Sequence, residues 1–323
     1  MLEAECDYLE FTVPAERRAD LVDVLPGGVE PLPGGWRRHS HSGLLAGGKG
    51  RIGWSPERPE MGVHVSLGSQ ALDVLGVLDD AWADRPGVVG LIQDELEGRV
   101  TRFDAAFDDF GGVLKLDVIE AALCAEHYTS RWKSGRVVKG FGRSAGGRTF
   151  YLGSPLSDSM LLVYDKKQER AAAGVPFEGK HWVRVELRLR RERANVAATL
   201  FKGVREDAGR VMRHFAGVLR GYIEFKEPNE GDSNKRRWKP AAWWLEFVGD
   251  VEKASLAVRE RELATVKDIK KWFSLQVSPS MALLEESMGQ VEAWAWLLGA
   301  AELGRYRWTA RHRAILAAST APG

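Results

Sequence analysis

The chain has 323 residues, 44% of them hydrophobic, and its 46 Lys and Arg against 45 Asp and Glu leave a formal net charge of +1. That is enough chain for a large packed core, as two domains or one elaborate α+β domain. Two cysteines, Cys6 and Cys124, exclude a disulfide framework, and no apolar run approaches the ~18 residues of a membrane span. The first residues are acidic rather than a basic and apolar leader, so the expected setting is the reducing cytoplasm, with no membrane partner.

In chain order, Cys6–Val13 alternates as a first strand ended by Pro14, with Asp7, Leu9 and Phe11 on one face and Tyr8 on the other. Glu16–Val24 has the spacing of a short helix, and the Gly/Pro-rich run 26–35 reads as a loop. His39 and His41 would share a strand face and invite a metal, but their Arg, Ser and Gly flanks favour a loop. Gly62-Val-His64-Val-Ser66-Leu67 is a strand, and Ala71–Asp79 and Pro86–Glu97 are helical.

In Arg99–Asp109, Arg102, Asp104, Ala106 and Asp108 share one face while Phe103, Ala105 and Phe107 share the other. Asp104 and Asp108 would lie roughly 13 Å apart along the strand, too far to bind one ion together. Asp104, nearer mid-strand, is the better ligand. Leu114–Glu126 is helical, and Tyr128–Gly147 is basic and glycine-spaced.

Phe150–Leu152 and Met160–Val163 flank a Gly-Ser-Pro-Leu-Ser-Asp turn and read as a hairpin whose second arm turns Leu162, Tyr164 and Lys166 one way and Val163 and Asp165 the other. In Trp182–Arg190 the alternation is strict: Val183, Val185, Leu187 and Leu189 oppose Arg184, Glu186, Arg188 and Arg190. Taken alone, the charged face reads as solvated.

Ala194–Glu224 is helical, 229–234 is a loop, and the remainder is mainly helical. Tryptophans 243, 244, 272, 294 and 296 stand at helical spacing beside Leu, Phe and Val and read as core rather than as platforms for bases. The expected fold is α+β: a mixed or antiparallel sheet of five or more strands carrying Asp7, His64, Asp104, Tyr164 and Glu186, with helices on one face. Residues 1–193 would form this sheet-containing core and 194–323 a helical C-terminal part, of the same domain or separate.

The balanced charge counts against a nucleic-acid partner, but local clusters count for one. Arg37-Arg38, the basic residues from Arg131 to Arg143, Arg184–Arg193, Lys235-Arg236-Arg237-Trp238-Lys239 and Arg305–Arg313 are basic, several with tryptophan interleaved. Each singly reads as solvated surface; together they suit phosphates and unpaired bases.

Gly153-Ser154, Ser157-Asp158, Val163-Tyr164-Asp165-Lys166-x-x-Glu169 and Trp182-Val-Arg-Val-Glu186 together resemble the replication initiation factor family. These are the Rep-trans rolling-circle initiators of plasmids and filamentous phages, with related relaxases of mobile elements. The Asp-x-Leu-x-Phe-Thr strand at Asp7, the Thr-Arg-x-Asp-x-x-x-Asp strand at Thr101–Asp108, and the segments Trp238–Phe247 and Thr265–Pro279 extend the resemblance to roughly Cys6–Ala300. The two-histidine strand of the wider nicking superfamily is met by His64, but its second place is Ser66, which suits the branch expected to hold its metal on carboxylates.

The resemblance implies a tyrosine that nicks one DNA strand at a replication origin, leaving a 5′-phosphotyrosyl link and a free 3′-OH. Tyr164 falls at the family's strand-borne tyrosine, and Lys166 would lower its pKa or neutralise phosphoryl charge. Asp104 and Glu186, with Asp7 or Glu169 as third ligand, would hold a divalent metal, and oxygen ligands favour Mg²⁺ or Mn²⁺. Arg184, Arg188, Lys235, Arg236 and Arg237 are the candidate DNA contacts, and a homodimer and a host helicase the implied partners. Two alternatives stay open: a relaxase for DNA transfer with the same chemistry, and a sequence-specific DNA-binding protein that cuts nothing. Of the other tyrosines, Tyr151 and Tyr222 read as core, Tyr8 faces away, and Tyr128 and Tyr306 lie among basic residues as competitors.

Overall fold

The structure, a computed structural model, describes residues 4–140, 147–256, 266, 269–270, 273–308 and 310–320. Arg143 and Trp272 lie outside the described residues. The chain divides into two compact units, Met1–Val258 and Arg259–Gly323.

The first unit begins with β1 (Ala4–Val13), α1 (Arg18–Asp23), β2 (Glu30–Leu32), β3 (His41–Leu45), β4 (Gly50–Trp54) and β5 (Val63–Gly68). After α2 (Ser69–Leu78), α3 (Asp80–Ala83) and α4 (Arg85–Gly90) come β6 (Arg99–Asp109), α5 (Leu116–Cys124), β7 (Tyr128–Ser130), β8 (Gly135–Lys139), β9 (Arg148–Leu152) and β10 (Ser159–Asp165). It closes with α6 (Lys166–Ala172), β11 (Val183–Arg190), α7 (Glu192–Lys202), α8 (Val204–Tyr222), β12 (Ile223–Phe225) and α9 (Ala242–Val248). The second unit contains helices Ser278–Met288, Gln290–Arg305 and Ala310–Thr320.

Among the described residues, ten strands form one sheet in the order β2-β3-β4-β5-β1-β6-β11-β10-β9-β8. Every pairing in it is antiparallel. The fold is therefore α+β, as expected. The alternation in β6 and β11 decides which face is buried beneath helices. Phe103, Phe107, Val185, Leu187 and Leu189 are sequestered on one side. Against them the α7–α8 pair brings Phe201 and Phe215, whose ring centroids lie 5.3 Å and 6.2 Å from that of Phe103. Fully burying each such ring stabilises the fold by about 1.5–3 kcal/mol. An apolar stripe of Val211, Phe215, Val218 and Leu219 holds α8 in place.

Several local expectations change. The run 26–35 contains β2, and His41 opens β3, because pairing to an existing sheet edge overrides Gly, Pro and Ser composition. Ile223–Phe225 leaves the helix to pair with Tyr128–Ser130. The helix expected over 86–97 is α4 followed by a π turn at Leu91–Glu95. Trp244 is core and Trp243 packs against it. Trp294 and Trp296, by contrast, are 51% and 55% exposed, so helical spacing beside apolar residues did not bury them.

Candidate active site

The other face of the sheet is polar, and its centre lies on β1, β6, β11 and β10. Register puts Tyr8 opposite Asp104, Asp104 opposite Arg188, Arg184 opposite both Asp108 and Tyr164, and Glu186 between Ala106 and Leu162. Of these, Tyr8, Asp104, Leu162, Tyr164, Glu186 and Arg188 wall a cleft of about 460 Å³ that also takes in Asp7, Tyr151, Lys166 and Glu169. The charged face of β11 is not solvated: Arg184 and Glu186 are each 4% exposed and Asp104 1%.

Asp7 reaches the cleft through an irregularity. The pairing of β1 with β6 slips between Cys6 and Tyr8, a bulge that leaves Asp7 unpaired. A bulge interrupts strict alternation, so Asp7 and Tyr8 both line the cleft while Leu9 and Phe11 stay in the core. The expected sharing of a face by Asp7, Leu9 and Phe11 is thereby corrected, as is the placing of Tyr8 away from the site. Tyr151 is corrected too: β9 pairs it with Leu162, on the polar face, and the Arg136 guanidinium lies 4.9 Å from its ring centroid.

The carboxylates are bridged by arginines. Arg102 donates to Asp104 at 2.9 Å and 2.5 Å, and Arg188 joins Asp104 at 3.0 Å to Glu186 at 2.7 Å. Arg184 donates to Asp108 at 2.8 Å and 2.6 Å and also to Asp7. Thus Arg184 and Arg188 direct their donors at acids inside the sheet. Of the other candidate DNA contacts, Lys235 pairs with Glu126 at 2.7 Å and Arg237 with Asp232 at 2.6 Å, and Arg236 is exposed.

Tyr164 donates a long hydrogen bond of 3.4 Å to Glu186 Oε2. Lys166 is the first residue of α6 rather than a strand residue, its helix capped by the Asp165 carboxylate, which accepts from Gln168 N at 2.8 Å. Its Nζ nevertheless lies 5.6 Å from the Tyr164 ring centroid and 2.9 Å from Glu169.

Burial pushes the Tyr164 phenol well above its ordinary value, and the charges of Glu186 and Asp7 push it further, with Arg184 opposing. The cleft therefore raises this pKa, where Lys166 was expected to lower it. Glu186 is raised by burial and then by the charge of Asp104, against Arg188. Asp7 is raised by burial, against Arg184. Three acidic groups are held above their ordinary values in one cleft, chiefly by burial, and such perturbed groups cluster at functional sites.

Asp104 and Glu186, joined through Arg188, are oxygen donors of the kind that suits a hard cation. Asp7 is turned to Arg184, and among the described residues no group of three or more His, Cys, Asp or Glu stands ready to hold a metal. Asp104 and Glu186 are likewise turned to Arg102 and Arg188, so it is their oxygen chemistry and not a ready-made ligand cage that suits a cation. His39 and His41 lie apart from this cleft, the first buried and the second stacked on Trp54 at 5.6 Å.

The replication initiation factor pattern, Rep_trans, matches residues 98–307. The chain belongs to the replication initiation factor family. Asp104, Tyr164, Lys166 and Glu186 fall inside the matched segment of this family member, and Asp7 and Tyr8 outside it. The putative DNA relaxase NicK of Bacillus subtilis (strain 168) is 28% identical over 195 residues, 59% of this chain. The chain spans 54% of that relative's length. A solved structure, the rolling circle replication initiator protein from Geobacillus stearothermophilus, superposes with a TM-score of 0.67 at 26% identity, over 80% of this chain and all of that one.

Proposed function

We propose that this family member nicks one strand of DNA by transesterification, with Tyr164 as the attacking group. The observation that carries the reading is the Tyr164 hydroxyl directed at the buried Glu186 carboxylate, at 3.4 Å, inside the cleft where the acidic groups are most perturbed. Tyr164 Oη bonds to the scissile phosphorus as the bond from phosphorus to the 3′-oxygen breaks. The phenol proton leaves through Glu186 Oε2, and the departing 3′-oxygen takes up a proton, giving a 5′-phosphotyrosyl link and a free 3′-OH. That polarity comes from the family resemblance.

Lys166, whose Nζ lies 5.6 Å from the Tyr164 ring, is placed to meet the charge on the phosphoryl oxygens. Arg188 and Arg102 orient Asp104 and Glu186. A Mg²⁺ or Mn²⁺ ion held by these two carboxylates would polarise the scissile phosphate and offset the negative charge that raises the Tyr164 pKa. Replication origin or transfer origin as substrate, and the homodimer and host helicase of the family resemblance, belong to the same reading. Incubation of the protein with its own replicon and Mg²⁺ or Mn²⁺, then protease digestion, end mapping and mass spectrometry of the retained peptide, tests it. An adduct on Tyr164 is expected; an adduct on Tyr8 or Tyr151, which share the cleft, would overturn the assignment.

A further inference from the structure

Next to the cleft, and sharing Asp7, Ser69 and Lys166 with it, lies a hollow of about 220 Å³ whose wall includes Phe110 and Trp182. Phe110 is 55% exposed. Its ring nevertheless has a built support. The Phe110 centroid lies 5.1 Å from that of Trp182 and 5.7 Å from that of Phe177, and those two meet edge-on at 4.8 Å. Trp182 is fixed by its indole N–H, which donates to Asp108 Oδ1 at 2.6 Å.

The turn carrying Phe110 is fixed as well. Asp109, 5% exposed, accepts from the backbone N–H groups of Gly111 at 2.9 Å, Gly112 at 3.0 Å and Leu114 at 2.6 Å, and meets His181 Nε2 at 3.2 Å. Two consecutive aspartates thus hold in one place a phenyl ring that is half in water. Hydrophobic burial does not explain that arrangement, because the ring remains outside.

The charges around the ring are mixed and largely paired with one another. The hollow is also lined by Arg85, Lys166, Arg170 and Arg184, with Glu5, Asp7, Asp73 and Asp108 among them. The acids are engaged: Asp73 by Arg85 at 2.5 Å, Asp108 by Arg184 at 2.6 Å, Asp7 by Arg184, and Glu5 by Arg184 at 3.9 Å. The Arg170 guanidinium lies 5.5 Å from the Trp182 ring centroid. A rigid exposed ring beside cations is the arrangement on which bases of single-stranded nucleic acid stack.

We propose that Phe110, backed by Trp182 and Phe177, is the stacking platform for an unpaired nucleobase close to the scissile phosphate. The proposal rests on the nicking reading and names a subsite of its substrate. Tyr164, Arg184 and Asp108 stand in register across β10, β11 and β6, two strand spacings or about 10 Å, and Phe110 follows Asp108 by two residues. A strand whose phosphate sits at Tyr164 therefore brings a neighbouring base to the ring.

The test is fluorescence anisotropy of the full chain with labelled (dT)12 and with an abasic 12-mer that keeps the phosphates and lacks the bases. Phe110→Ala should weaken (dT)12 binding about tenfold, Phe110→Trp should restore it, and the abasic strand should bind wild type and Phe110→Ala alike. Equal loss on both probes, or none on (dT)12, overturns the platform. Metal-dependent nicking by the wild type is scored separately. A protein that nicks but shows no Phe110 effect loses only the platform, and one that binds neither probe nor nicks loses the nicking reading with it.

Discussion

Two polar clusters lie on the same face of the same sheet, and their electrostatics are opposite. On β1 and β5, Glu10 receives two hydrogen bonds from Arg37, at 2.7 Å and 2.8 Å, and a third from Ser66 at 3.2 Å. Burial pushes the Glu10 carboxyl up, but the Arg37 hydrogen bonds and charge outweigh it and hold the group below its ordinary value. His64 is pushed down to about 4, by burial first, and its Nε2 meets Arg37 at 2.9 Å, the contact of a neutral ring that accepts. In the cleft on β1, β6, β11 and β10, Glu186, Asp7 and Tyr164 are all raised. The first cluster satisfies itself. The second keeps its acids above their ordinary values, chiefly by burial, the kind of perturbation that clusters at functional sites. His64, at the place of the wider superfamily's two-histidine strand, belongs to the self-satisfied cluster.

The largest effect should come from Tyr164→Phe, which removes one hydroxyl: no covalent adduct, and nicking lower by about a thousandfold or more, with single-stranded DNA binding retained. Religation at the wild-type rate by this variant would remove Tyr164 from its role. Glu186→Gln and Asp104→Asn come next, with nicking down about 10–100-fold or more and DNA binding close to wild type. If both kept full Mg²⁺-dependent activity, the carboxylate site would be lost as an idea.

Glu186→Gln also has a signed effect on stability. An acid whose folded pKa lies above its unfolded one costs stability increasingly as pH rises from about 4.5. Melting curves at pH 5 and pH 8 should therefore show the variant gaining on wild type at the higher pH; a gain at the lower pH would contradict the raised pKa. In the opposite cluster the sign reverses. Glu10→Gln should destabilise the fold by about 1 kcal/mol, given the half-exposed Arg37, and leave nicking by the folded protein unchanged. Urea titration and a nicking assay on the same preparation separate the two clusters.

A pH effect of a different kind belongs to His64. With a folded value near 4 against an ordinary 6.5, its neutral form contributes stability in full above pH 6.5 and loses it as pH falls toward 4. That amounts to on the order of 2 kcal/mol between pH 7 and pH 4.5. In His64→Gln this part of the acid slope should vanish, as read from urea midpoints; an unchanged slope would mean that folding does not shift the titration of this ring.

What the sequence determined by itself was the division of the central strands into two faces. Period two in Arg99–Asp109 and Trp182–Arg190 fixes that Phe103, Leu187 and Leu189 go to the core while Asp104, Glu186 and Arg188 go together, whatever the strands' partners are. The Tyr164–Lys166 spacing likewise brought those two side chains to one place, although Lys166 arrives there from a helix. Only the tertiary structure decided the rest. The slip between Cys6 and Tyr8 turns Asp7 into the cleft, and a bulge depends on the partner strand as much as on the residues themselves. Tyr151 faces the cleft because of its register against Leu162, which two separate strands cannot declare alone. The charged face of β11 is buried rather than solvated because β1 and β6 bring acids over its arginines, and the strength of a charge is set by what surrounds it in space.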